Sequence, residues 1–374
     1  MSILLLIVID LIVAPLDTII YIEWINGLKN YKFLSGAIIC PLIIIPFYFI
    51  PFLIYKYKGL ITFKNTDLSQ KNLIILGIFD GLVAILASIS VPNISIFTLI
   101  ISARCSLVFT MILSYYLLDR RYLLNHYISL VLTMLCILFN IIPQFINKNY
   151  SNYNEPISVC IYIICIFILV LSYTYKEKYL KGNKKDLNIF WMNTMISLWQ
   201  FIFGIIIMSI FLIYYIFYEK KSIDLYITNW LNCQFLGTNY NIDDNCNKSL
   251  LWLILYEFLN TLVNVIMNLI LRNGSSLIYL IISTLKTPLT VLFGYLLITY
   301  NVINNSSAQK TELNYLDYIS LVVLIISSLV YNIKPEQSKY KNNEIEQSLL
   351  NPINNQNNNA PLPEFSINTT SLTK

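Results

Sequence analysis

The chain has 374 residues, of which 57% are hydrophobic and 12% are charged, and its formal net charge is +5 at pH 7. Soluble domains carry about 25% charged residues, so this composition excludes a water-soluble fold and indicates a membrane protein. Because the positive charge comes from lysines in loops between apolar segments, it gives no reason to expect a nucleic-acid partner.

Apolar segments of about 20 residues, long enough to cross a bilayer as α-helices, fill the chain as far as Lys334. We therefore predict an all-α membrane protein with ten transmembrane helices. Only Pro92 and Asn93 separate the third span from the fourth, so these two should form a tight hairpin. The predicted spans are residues 3–22, 34–55, 72–91, 94–117, 124–142, 157–175, 188–217, 250–271, 275–298 and 316–333.

The charge of the loops predicts how the spans are oriented, because Lys and Arg collect on the cytoplasmic side of membranes. Loops after the even-numbered spans, which include residues 120–121 and 176–185, carry more Lys and Arg than the others. Both termini should then be cytosolic. Four Asn-x-Ser/Thr triplets, which can be glycosylated only on the lumenal or outer face, lie in the opposite loops. Their acceptors are Asn149, Asn247, Asn304 and Asn305.

The largest predicted lumenal loop, residues 219–249, contains Cys233 and Cys246. In an oxidising compartment these either form a disulfide, worth about 3 kcal/mol by chain entropy, or remain two free thiols. The other five cysteines lie inside the predicted spans and suit apolar packing. No cysteine has metal-ligand spacing, so we predict no metal site and no cofactor.

Five spans precede residues 143–156 and five follow them, which is typical of an inverted repeat, since an odd number of spans reverses the second half. We predict a first five-helix repeat at 1–142, a lumenal connector at 143–156 and a second repeat at 157–333. Residues 334–374 are rich in Asn, Gln, Pro and Ser. Such a composition cannot bury enough apolar surface to fold, so we expect a disordered cytosolic tail.

Four charged residues lie deep inside apolar spans, namely Asp80, Arg104, Glu257 and Lys286. Each carries an insertion cost of roughly 2.5–3.5 kcal/mol. Aligning the two halves places the two acids at one depth and the two bases at another. Either these residues surround a cavity at the repeat interface, or they form ion pairs that join helices. The cavity interpretation predicts a transporter in which Asp80 and Glu257 exchange protons.

Polar residues in the eighth span fall on one helical face, with Glu257, Asn260, Asn264 and Asn268 spaced by three and four residues. This stripe would face the interior of the bundle. Such amides either line a cavity or serve as hydrogen-bonding contacts between helices.

Two further spans carry polar pairs seven residues apart, Asn193 with Gln200 in the seventh and Asp10 with Asp17 in the first. Residues seven apart lie on one side of a helix. Within the predicted spans acids outnumber bases, which favours cationic or zwitterionic solutes, or protons, over anions.

Three stretches carry a resemblance to a known family. They are IFDGLVAILASISVPNISIFTLIISARCSLVFTM at 78–111, WMNTMISLWQF at 191–201 and CQFLGTNYNIDDNC at 233–246. In these stretches, and over about residues 1–335, the chain resembles the chloroquine-resistance-transporter-like family of the drug/metabolite transporter superfamily, whose members have ten spans.

The resemblance implies a five-plus-five inverted repeat in the membrane of an acidic, vacuolar or endolysosomal organelle. It also implies proton-driven export to the cytosol of small cationic or zwitterionic solutes, such as amino acids, short peptides, thiols or amphiphilic drugs. The expected partners are thus lipid, solute and protons, and the oligomeric state stays open.

Residue by residue, the resemblance assigns Asp80 to a family acid and four amides to polar cavity positions. Thr18 falls where some members carry a cavity lysine, with Asp17 beside it. Arg104 and Lys286 stand where members carry neutral amides, so the cavity charge is peculiar to this chain, and two of four family loop cysteines are absent. The four amides are Asn193, Gln200, Asn260 and Asn264.

Other functions remain open from the sequence. Arg104 and Lys286 would suit the anionic cargo of a nucleotide-sugar or other metabolite carrier in the secretory pathway. A non-transporting membrane receptor or scaffold is a second alternative. We see no nucleophile–base set in the sequence and therefore do not expect an enzyme.

Overall fold

The computed structural model describes residues 3–28, 30–59, 69–94, 98–99, 102–146, 155–181, 187–214, 223–240 and 244–273, with single positions or pairs from 279 to 338. Most of the predicted ninth and tenth spans therefore lie outside the described residues. So do residues 147–154 of the predicted connector, the acceptors Asn149, Asn304 and Asn305, and the predicted tail beyond Ser338.

The helices follow the apolar segments of the sequence. A π-helical turn, Ser35–Ile39, precedes the helix that begins at Cys40, and a 3-10 turn, Val91–Asn93, follows the helix that ends at Ser90. In chain order the helices are α1 (Ile3–Gly27), α2 (Lys32–Leu34), α3 (Cys40–Tyr57), α4 (Gln70–Ser90), α5 (Cys105–Leu118), α6 (Leu124–Ile146), α7 (Glu155–Lys181), α8 (Ile189–Tyr214), α9 (Ile223–Leu231) and α10 (Ser249–Asn273).

Six helical segments among the described residues are long and apolar enough to cross a membrane. They are α1, the continuous α2–α3 unit, α4, α7, α8 and α10. The chain is therefore a multi-pass integral membrane protein built from α-helices, as the composition predicts.

The predicted fourth span differs from the structure at its start. Thr98, Leu99 and Ser102 are helical, but Ala103 and Arg104 form a turn before α5 begins. Arg104 is thus the N-cap residue of α5 and not a charge in the middle of a helix. Hydropathy alone could not locate this break, because the segments on both sides are predominantly apolar.

The sixth span is longer than predicted, since α7 continues past residue 175 to Lys181. Lys176 and Glu177, which the sequence places in a cytosolic loop, are helical and buried. Glu177 forms an ion pair with Arg120 and a second, 2.8 Å long, with Lys181. Because each of these charges has a partner, the helix can extend beyond the point where hydropathy ends it.

The helices pack around α4, α8 and α10. α4 contacts both α7 and α8, α3 contacts α8 and α10, α1 lies along α10, and α5 packs on α7. The contact between α8 and the π-helical turn is very close. A Cβ atom added to Gly204 would lie 2.0 Å from the carbonyl oxygen of Ala37, so only glycine fits at this crossing.

Two apolar clusters lie at opposite ends of this bundle. The first, here the Leu73 cluster, joins the starts of α1, α4 and α8 to the ends of α7 and α10. The second, here the Trp24 cluster, joins the end of α1 to α2, α9 and the start of α10. The Leu73 cluster includes Leu6, Leu73, Leu180, Met192 and Leu271. The Trp24 cluster includes Trp24, Leu28, Leu34, Trp230 and Leu253.

The predicted loop at 219–249 contains helical structure. α9 is followed by a π-helical turn, Asn232–Leu236, and Cys233 of this turn forms a disulfide with Cys246. Both cysteines are fully buried in the Trp24 cluster. The disulfide therefore fastens this segment across one end of the bundle.

A short two-stranded sheet joins distant parts of the chain. β1 (Arg120–Arg121) pairs antiparallel with β2 (Gln337–Ser338), with Arg120 opposite Ser338. The prediction that the tail is disordered from residue 334 is therefore wrong for these two residues. Strand pairing uses backbone groups and needs no apolar side chains, so composition gave no signal of it.

Candidate functional site

A cavity of about 240 Å³ lies inside the bundle. Ile196 of the Leu73 cluster lines it, and so do Tyr21 and Tyr256, which pack against the Trp24 cluster. The cavity is therefore placed between the two apolar clusters. Its polar lining comes from Asp80 and Ser88 of α4, Lys176 of α7, Asn193, Ser197 and Gln200 of α8, and Glu257, Asn260 and Asn264 of α10.

Asp80 of α4 has partners on both carboxylate oxygens. Lys176 Nζ lies 2.8 Å from Oδ2, and the Ser172 hydroxyl donates to Oδ1 at 2.6 Å. Ser172 and Lys176 are four residues apart on α7 and so share one face. The ammonium charge of Lys176 and the two hydrogen bonds hold α7 against α4 at the cavity wall.

Glu257 of α10 has a different environment. Its side chain is fully buried, and its Oε1 accepts a hydrogen bond from the Cys40 thiol. Among the described residues, no hydrogen-bond partner contacts Oε2. None of the described lysines and arginines forms an ion pair with the Glu257 carboxyl group. Glu257 is thus the acid in this cavity wall that lacks a neutralising cation in the described structure.

The four amides predicted for the cavity also line it, and Asn268, on the same face of α10, joins two helices. Asn264 Nδ2 donates to Asn260 Oδ1 at 2.8 Å along α10. Asn268 Nδ2 donates to Asn193 Oδ1 at 3.1 Å and connects α10 to α8. The stripe on α10 therefore combines the two roles left open by the sequence, since it lines the cavity and bonds neighbouring helices.

Aromatic rings complete the wall. Tyr21, Tyr48, Tyr173 and Tyr256 all line the cavity. The rings of Tyr21 and Tyr256 have centroids 5.1 Å apart, and Trp24 stacks on Tyr256 at 5.6 Å. An aromatic wall next to carboxylates suits an organic cation, because ring faces attract positive charge.

Lys286, predicted as a cavity residue, is not among the described residues of the lining. Its Nζ lies 2.7 Å from Asp10 Oδ2, and it also lies 4.6 Å from the centroid of the Tyr279 ring. The pair joins α1 to the predicted ninth span and satisfies both charges away from the cavity. This contact matches the alternative interpretation, an ion pair that joins helices.

Arg104, Asp17 and Thr18, also predicted as cavity residues, are not among the described residues that line this cavity. Arg104 is buried beside Tyr162 and Cys136. Thr18 donates to the carbonyl oxygen of Ala14 at 3.0 Å, within α1. The sequence could not separate these residues from the true lining, because helical spacing fixes a face but not its neighbour.

Lys176 is the charged cavity residue that sequence reasoning missed. Hydropathy assigned it to a loop, although its side chain is only 5% exposed. One signal could have found it. Leu169, Ser172, Tyr173 and Lys176 follow helical spacing, which predicts a common face that continues past residue 175.

Membrane-crossing helices that surround a polar, charged cavity are typical of a membrane transport protein, since such groups are too costly to face lipid. The family comparison agrees with this class. The model of the CRT-like family, chloroquine-resistance transporter-like, matches residues 3–331. The chain therefore belongs to this family of membrane transporters, as the sequence resemblance predicts.

Curated relatives are similar over most of the chain. The chloroquine resistance transporter of Toxoplasma gondii is 20% identical over 86% of the chain, which spans 37% of that protein. The putative chloroquine resistance transporter of Plasmodium yoelii yoelii is 23% identical over 83% of the chain and 74% of its own length. The chloroquine resistance transporter of Plasmodium falciparum is 23% identical over 91% of the chain and 82% of its own length.

Proposed function

We propose that this chain is a secondary active transporter that moves small cationic or zwitterionic organic solutes from an acidic organelle to the cytosol. Amino acids, short peptides, thiols and amphiphilic drugs form the solute class, and protons drive the movement. The membrane of a vacuole or another endolysosomal vesicle is the proposed location. The names of the curated relatives, which refer to chloroquine resistance, are compatible with basic amphiphilic solutes.

One observation carries the proposal, namely the cavity with two carboxyl side chains between two apolar clusters. Asp80 and Glu257 supply negative charge, and the tyrosines supply surfaces for organic cations. The Leu73 and Trp24 clusters lie at opposite ends of the bundle. Alternating access requires that one end opens while the other stays closed, and two separate clusters around one site suit this requirement.

The helix contacts support a five-plus-five inverted repeat, because they occur in pairs that a two-fold exchange of the halves would produce. The first span packs on the eighth (α1 on α10), and the sixth packs on the third (α7 on α4). The third packs on the seventh (α4 on α8), and the eighth packs on the second (α10 on α3). The fourth packs on the sixth (α5 on α7), and the ninth reaches the first through Lys286 and Asp10.

Within this proposal Glu257 is the main proton-coupling residue. An ionised carboxyl is costly to bury without a cation, so a proton from the acidic side would stabilise the arrangement described here. The groups that face it are the Cys40 thiol and Tyr48 of the second span, Asp17 of α1, and Tyr256 and Asn260 of α10. Asp80, in contrast, already has the ammonium group of Lys176.

The test is transport by purified protein in liposomes with an imposed pH gradient. Uptake is measured for amino acids, dipeptides, thiols and cationic amphiphiles, with and without the gradient. We expect acidification of the lumenal side to accelerate uptake of at least one of these classes. Glu257→Gln should stay folded and should lose that acceleration, because the amide resembles the neutral carboxyl and cannot release a proton.

Asp224→Asn is the matched control, since Asp224 is an exposed acid in α9 outside the cavity lining. This variant should keep the acceleration. Uptake of sugar nucleotides instead of these solutes would establish the carrier alternative. Absence of flux for every solute would indicate a receptor or scaffold.

A further inference from the structure

Lys176 brings a buried ammonium group to the cavity wall. Its side chain is 5% exposed, it lines the cavity beside Tyr173, and its Nζ lies 5.9 Å from the centroid of that ring. Lys181, at the end of the same helix α7, has instead a side chain that is 35% exposed. Lys176 is thus set apart by its contact with the cavity.

The ammonium group of Lys176 has capacity for a second anion. A lysine has three N–H donors, and Asp80 Oδ2 accepts one of them at 2.8 Å. Asp80 is held independently by Ser172, which donates to its Oδ1 at 2.6 Å. The carboxylate can therefore stay in place while the lysine shifts toward another carboxylate in the cavity.

A carboxyl group, that of Glu257 on α10, lies on another wall of the cavity. Glu257 lines the cavity, its Oε2 has no hydrogen-bond partner among the described residues, and α10, which carries it, packs against α7. The cavity therefore offers an ammonium group on α7 and a carboxyl oxygen on α10. This arrangement complements a solute that carries both charges and does not complement one that carries only positive charge.

We infer that Lys176 is a specificity-determining residue of the cavity, whose ammonium group binds the carboxylate of the solute and is held by Asp80 when the cavity is empty. This inference rests on the proposed function and narrows it. A solute with an ammonium group and a carboxylate meets partners for both. A plain amine meets the positive charge of Lys176 without compensation and is rejected.

The test compares solutes that differ only in the carboxylate. Suitable pairs are L-lysine with cadaverine, L-arginine with agmatine, and L-histidine with histamine. Initial rates of uptake into proteoliposomes give the preference for the amino acid over the amine in each pair. This ratio does not depend on how much protein is folded, so a purely structural change leaves it constant.

The original chain should prefer the amino acid, and Lys176→Gln should reduce that preference by about tenfold or more, the effect of losing one charge-assisted hydrogen bond. Lys176→Arg keeps the positive charge and should keep the preference. Lys181→Gln is the matched control on the same helix and should leave the ratio unchanged.

The double variant Lys176→Gln/Asp80→Asn guards against loss of folding, because it leaves no unpaired charge at this site. It should also lose the preference. An unchanged ratio in Lys176→Gln or in the double variant would overturn the inference and leave the proposed function intact. If the original chain transports no member of any pair and no other solute class, the proposed function is overturned as well.

Discussion

The ion pair between Asp10 and Lys286 gives a quantitative prediction about how the bundle is held together. The side chains are 0% and 10% exposed, so water screens their interaction little. Removing one partner of a buried pair leaves an uncompensated charge and costs about 3–5 kcal/mol, whereas replacing both is often neutral. We expect Asp10→Asn and Lys286→Met each to lower the free energy of unfolding by about 3–5 kcal/mol. The double variant should return to within about 1 kcal/mol of the original chain.

Unfolding by SDS in mixed micelles gives the four free energies of this double-mutant cycle. Lys181→Met is the control, because Lys181 is 35% exposed and its buried partner Glu177 keeps a second cation, Arg120, when Lys181 is replaced. Loss of such a partly exposed lysine should cost at most about 1 kcal/mol. If the double variant is as unstable as the single variants, the reasoning is refuted, since the penalty would then not come from an unpaired charge.

Two further predictions concern packing and the disulfide. Gly204→Ala should lower the unfolding free energy by about 1–3 kcal/mol or more, the usual cost of overpacking, because its Cβ would meet the Ala37 carbonyl oxygen at 2.0 Å. The same SDS titration measures it, and a stability equal to that of the original chain would contradict the close crossing. Cys246→Ser should remove about 3 kcal/mol by loss of the 13-residue link to Cys233. A reducing agent should produce the same loss in the original chain and none in the variant.

The helices could be predicted from the sequence because a bilayer requires long apolar segments, but the end of α7 could not. The charge of Lys176 suggests the start of a loop, because its partner Asp80 lies 96 residues away in the chain and is not apparent from the sequence. The break before Arg104 was hidden for a related reason. Apolar segments lie on either side of it, and hydropathy does not register a short interruption of a helix.

Part of the candidate cavity could also be predicted. Asp80, Glu257 and the amides on α8 and α10 line it, because polar residues on one face of an apolar helix are rarely turned toward lipid. Its tyrosines could not be predicted, since aromatic residues suit both a core and a membrane surface. Nor could the partner of Lys286, because Asp10 and Asp17 share one face of α1 and the sequence does not distinguish them.

The sheet formed by β1 and β2 links the region just after the last predicted span to the connection between α5 and α6. Its attraction comes from amide and carbonyl groups, which nearly every amino acid supplies. Most substitutions at residues 337 and 338 would therefore leave this strand pairing intact, whereas a proline would remove one of its backbone hydrogen-bond donors. A carboxyl-terminal label belongs well downstream of Ser338, where it cannot compete for that edge.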